Sequence, residues 1–353
     1  MENKVMKNVL DSTKYGIIID KILQTGQATK DEILSLFEDE AKDELFTRAN
    51  AVKEKVFGKD VILRGIVEFS SYCRCACSYC GLFCDNSELK RYRFSVDEIV
   101  KYAKAAYDAG YKSIILQSGE DLSYTADMIS EAIKRIKAFG DVSLTLSIGE
   151  RKKEEYEQWH KDGADRYLLK HETYDEALYN TLHPHSSFKQ RLECLRNLKE
   201  IGFETGSGFM VGLPGQTRES LAGDILLLKD LEVEMAGIGI FISHPSTPLA
   251  GSTPGNTIDA IKCIAITRLL LNNCHLPSTT SIEVGSTEKY SSLLAGANVI
   301  MKKVEPYKYR KMYEIYPNHK IVDKTVLEER IELENFVESV GLTVSKSKGL
   351  TSY

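Results

Sequence analysis

Leu63-Arg-Gly-Ile-Val-Glu-Phe69, followed after Ser70-Ser-Tyr72 by Cys73-Arg-Cys-Ala-Cys77-Ser-Tyr-Cys80, is the stretch on which the fold of this 353-residue chain turns. The first part reads as a short, largely apolar strand of the kind buried in a parallel sheet. The second part is a loop that carries thiols in the frame C-x3-C-x2-C. Further apolar runs follow at Ser113–Leu116, Ser143–Leu146, Arg166–Leu169, Glu204–Val211, Gly237–Ile242, Ser278–Ile282 and Ala297–Met301. Longer amphipathic segments separate them, and that alternation marks βα units on a parallel sheet. One such segment opens with the capping box Ser95-Val-Asp-Glu98 and closes at Gly110, with Ile99, Tyr102, Ala103 and Ala106 on one stripe. In the next helix Met128, Ile129, Ala132, Ile133 and Ile136 form the same kind of core stripe. Eight units favour an α/β fold of the (β/α)8 TIM-type barrel, although a doubly wound open sheet produces the same alternation.

Outside the barrel, 61–305, the sequence predicts an N-terminal helical extension, 1–60, and a C-terminal tail, 306–353. The extension is helical in period from Tyr15 to Phe57, with a capping box at Thr29-Lys-Asp-Glu32. The tail carries a final helix from about Val326 to Val340. No repeat or flexible linker separates a second domain.

Forty-six basic against 51 acidic residues give a formal charge of -5, which offers no positive field to nucleic acid. Met1–Leu10 mixes Glu2, Lys4 and Lys7 with few apolar residues, unlike a secretory signal, and no apolar run is long enough to span a bilayer. A cytoplasmic protein is expected. Its eight cysteines should then be reduced, and five of them lie between Cys73 and Cys84. That density points to a metal, whereas Cys194, Cys263 and Cys274 read as small buried hydrophobes.

The loop leaves the first strand at its C-terminal end, where barrels place their chemistry. Thiolates suit iron–sulfur clusters, and a cubane held by cysteine alone needs four. Three leave one iron open, able to chelate the amino and carboxylate groups of S-adenosylmethionine. A zinc site completed by Cys75 or Cys84 is the plainer alternative. At the end of the second strand, Gln117-Ser-Gly-Glu-Asp121 adds Gly119, which permits close backbone approach, and Glu120, able to accept from an ammonium.

The motif, with aromatic Tyr79 before its last cysteine, resembles the radical S-adenosylmethionine superfamily. The resemblance implies one oxygen-sensitive 4Fe-4S cluster on Cys73, Cys77 and Cys80. It also implies cleavage of S-adenosylmethionine to methionine and a 5′-deoxyadenosyl radical, and a place for Tyr79 near the adenine. A Gly-Gly-Glu element related to Ser118-Gly-Glu120 binds the amino group of S-adenosylmethionine in that superfamily.

Further strings, Leu146-Ser-Ile-Gly-Glu150, Arg166-Tyr-Leu-Leu-Lys-His-Glu-Thr173, Pro184-His-Ser-Ser-Phe-Lys-Gln-Arg191, Gly208-Phe-Met-Val-Gly-Leu-Pro-Gly-Gln216 and His244-Pro-Ser-Thr-Pro248, are similar to the FeFe-hydrogenase maturase HydE family. That resemblance runs from about Ile66 to Tyr316. It implies that Glu172 and Arg191 bind S-adenosylmethionine, with Gln117, Ser118, Thr145 and Ser147 lining the barrel beside it. Arg166, Lys170, Thr279 and Thr280 would present cations and hydroxyls to a small anionic organometallic or amino-acid-derived substrate. The family's task implies a cysteine-bound iron carbonyl cyanide precursor of the diiron subcluster. Its implied partners are a one-electron donor such as ferredoxin or flavodoxin, and the sister hydrogenase maturases. Some members carry a second cluster on C-terminal cysteines, and this chain has no cysteine after Cys274.

Methylornithine synthase-like and biotin synthase-like enzymes share the loop and barrel, and a non-catalytic metal-cluster scaffold would share the cysteines. A lysine-rearranging enzyme needs an acidic partner deep in the barrel, for which Glu150 is the candidate among strand ends. The expectation for the maturase is Glu150 at the rim, Lys170 facing the cavity and a net positive interior.

Overall fold

Residues 13–285, 291–317 and 323–351 are described by a computed structural model; the Met1–Leu10 segment lies outside them. The strands run β1 Asp60–Ser70, β2 Ser113–Ser118, β3 Ser143–Ser147, β4 Arg166–Leu168, β5 Glu204–Ser207, β6 Met210–Val211, β7 Met235–Ala236, β8 Gly239–Ile240, β9 Pro277–Ser278, β10 Val299–Lys303 and β11 Thr343–Val344. The main sheet is parallel, in the order β7-β5-β4-β3-β2-β1-β10-β9. Its two edges meet because Ala236 N donates to His275 O and His275 N donates to Glu234 O, just ahead of β9. The ring therefore closes, and the open-sheet alternative falls away.

β5 and β7 do not continue smoothly into β6 and β8, which pair separately. Gly208 has φ +154°, and a Cβ there would lie 2.1 Å from Gly237 O, so the two backbones touch where each strand breaks. The seventh run, expected as a strand through Ile282, pairs only at Pro277–Ser278 and then turns into the helix Thr280–Gly285. Thr279 Oγ1 donates to Ile238 O at 3.0 Å, and its carbonyl accepts from Ile282 N, which starts the helical turn.

Both expected capping boxes form, at Thr29/Glu32 and Ser95/Glu98. The helices Lys14–Thr25, Lys30–Leu36 and Lys42–Phe57 lie over the helix Thr257–Leu270, which is consequently buried on nearly every side. Its Lys262 stays solvated by protein, donating to Phe37 O at 2.9 Å and Glu38 O at 3.2 Å. Among the described residues no helix is long and apolar enough to cross a membrane. After the helix Val326–Ser339, β11 pairs with the first residues of β1 and the chain runs on across the barrel floor.

Candidate active site

The cysteine loop begins just past the paired ends of β1 and β2, Ser70 and Ser118. Gly119 N donates to Ser70 O, and Arg74 N donates to Glu120 O, so the loop is sewn to the end of β2. A Cβ on Gly119 would sit 2.2 Å from Tyr72 O and 2.9 Å from Cys73 Cβ; only glycine allows this approach. Arg91 holds the far side of the loop through the carbonyls of Ser71, Leu82 and Phe83.

Within this frame Cys73 Sγ accepts from two backbone amides, Cys75 N at 3.4 Å and Glu120 N at 3.3 Å. Amides aimed at sulfur stabilise a metal-bound thiolate, so the donor set fits an iron–sulfur cluster. The Cys80 thiol is pushed up to about 12, first by burial and then by the Cys73 sulfur. Among the described residues no three His, Cys, Asp or Glu side chains converge on a single ion position. A cubane takes its three ligand sulfurs on separate iron atoms.

Tyr79 Oη is 2.8 Å from His183 Nε2, and His183 Nδ1 is 2.9 Å from Tyr179 O. A carbonyl accepts only, so Nδ1 carries the proton, Nε2 accepts, and Tyr79 donates. Burial and then the nearby Arg191 charge hold His183 down at about 4, which keeps it neutral. Glu150 lies at the rim, accepting from Arg191 Nε at 2.7 Å, Ser186 Oγ at 2.8 Å and Gln190 Nε2 at 2.9 Å. Arg191 also donates to Lys170 O, and its guanidinium is thereby fixed between strand end and helix.

Glu172 sits at φ 65° in a γ-turn closed by Thr173 N to His171 O, an arrangement of the strained kind found at functional sites. His171, fully buried, braces that turn through Ser207 Oγ at 3.0 Å and Asp224 Oδ1 at 3.1 Å. Glu172 Oε2 lies 3.0 Å from Lys170 Nζ yet accepts no well-angled hydrogen bond among the described residues. It is the acceptor left open beside Tyr79.

Beneath these groups is a cavity of about 250 Å³. Of the residues singled out from sequence, Tyr79, Gln117, Lys170, Glu172, Thr279 and Thr280 line it. Ser118 and Gly119 instead belong to the turn under the cysteine loop, with Ser118 Oγ donating to Gly119 O. Glu120 also faces that loop: Arg74 Nε donates to Oε1 at 2.7 Å and Glu150 N to Oε2 at 2.9 Å, so its carboxylate is engaged before any ammonium arrives. Thr145 is buried within β3 with its hydroxyl unpartnered, and Ser147 lies at the end of that strand.

Arg166, expected to present its charge to substrate, opens β4 and does not line the cavity. Its guanidinium is on the floor of the barrel, bonded to Glu204, Ser113 and Ser143 and to the carbonyl of Gly349 from the C-terminal tail. The cavity's second cation is Lys303 on β10, paired with Glu68 on β1 at 2.7 Å. Among the described residues each cation lining the cavity faces a carboxylate, Lys170 with Glu172 and Lys303 with Glu68, so the expected excess of cations is not found. The signal that could have revealed Glu68 is a carboxylate inside a largely apolar strand, at the same parity as Ile66 and the other buried charge, Arg64.

The radical SAM superfamily model matches residues 67–228. The FeFe-hydrogenase maturase subunit HydE of Thermotoga maritima is 48% identical over 289 residues, 81% of this chain and 82% of that protein. A 3-methylornithine synthase of Methanosarcina acetivorans is 31% identical over 82% of this chain and 83% of that protein. In fold, the crystal structure of methylornithine synthase PylB superposes with a TM-score of 0.80 at 23% identity, covering 93% of this chain and 97% of that one. The maturase HydG from Carboxydothermus hydrogenoformans follows at 0.76 and 23% identity, over 94% of this chain and 79% of that one. This chain thus belongs to the HydE family of FeFe-hydrogenase maturases, enzymes of the radical S-adenosylmethionine superfamily that use a 4Fe-4S cluster and S-adenosylmethionine.

Proposed function

We propose that this maturase acts on a cysteine-bound iron carbonyl cyanide precursor of the diiron subcluster, held in the cavity below the cysteine loop. The observation that carries the reading is the cavity itself: Tyr79 and Glu172 occupy its wall beside Lys170, with the threonine pair Thr279 and Thr280 also lining it. When bound, the cluster and S-adenosylmethionine supply a 5′-deoxyadenosyl radical. The chain's own residues bind and orient. Cys73, Cys77 and Cys80 hold the cluster; Arg191 and Glu172 meet the carboxylate and the ribose or ammonium of S-adenosylmethionine; Tyr79, fixed by His183, packs near the adenine. Lys170, Thr279 and Thr280 supply donors to an anionic substrate in a water-poor space. A one-electron donor such as ferredoxin or flavodoxin, and the sister maturases, complete the reading in an anaerobic cytoplasm.

The test is anaerobic incubation of the reduced enzyme with S-adenosylmethionine and either the cysteine-bound iron carbonyl cyanide complex or lysine, followed by electron paramagnetic resonance. New radical signals are expected from the iron complex. Turnover of lysine with no signal from the complex would overturn the substrate while leaving radical chemistry intact. One observation favours that second, methylornithine synthase-like reading: Glu68 is a carboxylate inside the cavity, which Glu150 at the rim is not.

A further inference from the structure

Among the described residues two ion pairs line the cavity. Lys170–Glu172 stands at the end of β4. Glu68–Lys303 stands on β1 and β10, and β10 is four strands from β4 in either direction round the ring, so it lies across the barrel. Lys303 is in register with Ile66, one inward position below Glu68. Glu68 is 2% exposed. Behind it is the wholly buried Glu305, whose Oε2 accepts from Glu68 N at 3.2 Å.

We propose that Glu68 and Lys303 form a second recognition subsite for the zwitterionic end of an α-amino-acid substrate, Lys303 taking its carboxylate and Glu68 its ammonium. The inference rests on the cavity being the substrate chamber. Charge arithmetic selects the ligand class. A simple anion drawn to Lys303 displaces Glu68, leaving that carboxylate unpaired against both the anion and Glu305. A simple cation drawn to Glu68 strands Lys303 in the same way. An α-amino acid carries both charges one carbon apart, and it can exchange partners with a pair 2.7 Å apart while leaving neither uncompensated. Burial raises the Glu68 carboxyl above the usual carboxylate range and Lys303 opposes that rise, an opposition that an ammonium in contact with Glu68 would take over.

The experiment is anaerobic calorimetry on cluster-loaded protein saturated with S-adenosylmethionine, using thioethers that do not ligate iron. The probes are S-methyl-L-cysteine, S-methylcysteamine, which lacks the carboxylate, 3-(methylthio)propionate, which lacks the ammonium, and L-lysine. Wild type should prefer S-methyl-L-cysteine over either truncated probe by about 10-fold or more. Lys303→Met should erase the preference over S-methylcysteamine, and Glu68→Gln the preference over 3-(methylthio)propionate. Lys303→Arg should retain the preference over S-methylcysteamine. Iron content and S-adenosylmethionine affinity, unchanged in each variant, report an intact fold. A preference that survives both neutral substitutions overturns the subsite, as does a wild-type protein indifferent to the zwitterion. Tighter binding of L-lysine than of S-methyl-L-cysteine, again abolished by both substitutions, supports the subsite while removing the cysteine-bound iron complex as substrate.

Discussion

Cys73 differs from its neighbour Cys75 in what its sulfur receives: two amide hydrogens converge on Cys73 Sγ, while Cys75 contributes its backbone carbonyl to Cys84 N at 2.9 Å. Replacing Cys73, Cys77 or Cys80 by alanine should abolish the cluster. Cys75→Ala and Cys84→Ala should keep about four iron atoms per chain, and an iron assay that finds Cys75→Ala empty would mean the ligand frame is misread. In the proposed reading Arg191 meets the carboxylate of S-adenosylmethionine. Arg191→Lys keeps a charge beside Glu150 but loses the forked contact, and should weaken binding by about 1.5 to 3 kcal/mol with the cluster intact. An unchanged dissociation constant would remove Arg191 from the site. His183 makes a prediction about acid. Its folded value of about 4 lies below the usual 6.5, so the folded state resists protonation that the unfolded chain accepts. Its contribution to stability is present above about pH 6.5 and is lost as pH falls towards 4. Lowering pH from 7.5 to 5.5 should reduce the Tm, and His183→Gln should reduce it less over the same interval.

The joint between β1, the cysteine loop and the end of β2 is a single mechanical unit, made possible by the absent side chain of Gly119. Gly119→Ala forces a methyl against Tyr72 O, and backbone has to move. We expect a cost of about 1 to 3 kcal/mol and a loop displaced at Cys73, seen as a lowered iron content in protein whose circular dichroism is unchanged. Full iron occupancy in that variant would show that the loop tolerates the shift. The end of β4 works differently, because His171, Ser207 and Asp224 hold the γ-turn that presents Glu172. Lys170-His-Glu172 is one unbroken string in the sequence. Its members divide: Lys170 and Glu172 face the cavity and His171 faces the core.

The C-terminal tail is a structural floor for the whole barrel. β11 pairs with Asp60 and Val61, Lys348 O accepts from Ser143 Oγ at 2.8 Å, Gly349 O accepts from Arg166, and Gly349 packs on Ile62. Removing Thr343–Tyr353 opens the buried Arg166–Glu204 pair to water from below. Loss of these bonds should cost on the order of 2 to 4 kcal/mol, a drop of several degrees in Tm, with S-adenosylmethionine affinity retained because the cavity lies at the opposite end. A truncated protein that melts like the full chain would show the floor to be dispensable.

Legible in the sequence alone were the alternation of strands and helices, the helix starts at Thr29 and Ser95, and the cysteine frame, while closure of the barrel was not. Each of these rests on local spacing: strand runs alternating with helical stripes, caps three residues apart, thiols within one loop. Resemblance added the family and its cofactors. The cavity was only partly legible. Parity along a strand says which residues point inward, but not how far up the barrel each one lies. Arg166 opens β4 and Lys170 follows just past its end at the same parity, yet one is sealed into the floor and the other lines the chamber. Glu68 and Lys303, far apart in the chain, become partners only when β10 returns to lie beside β1 and closes the ring from that side. Pairing across such a separation is set by strand register and barrel closure, which depend on the packing of every strand at once, and no local pattern in the chain encodes them.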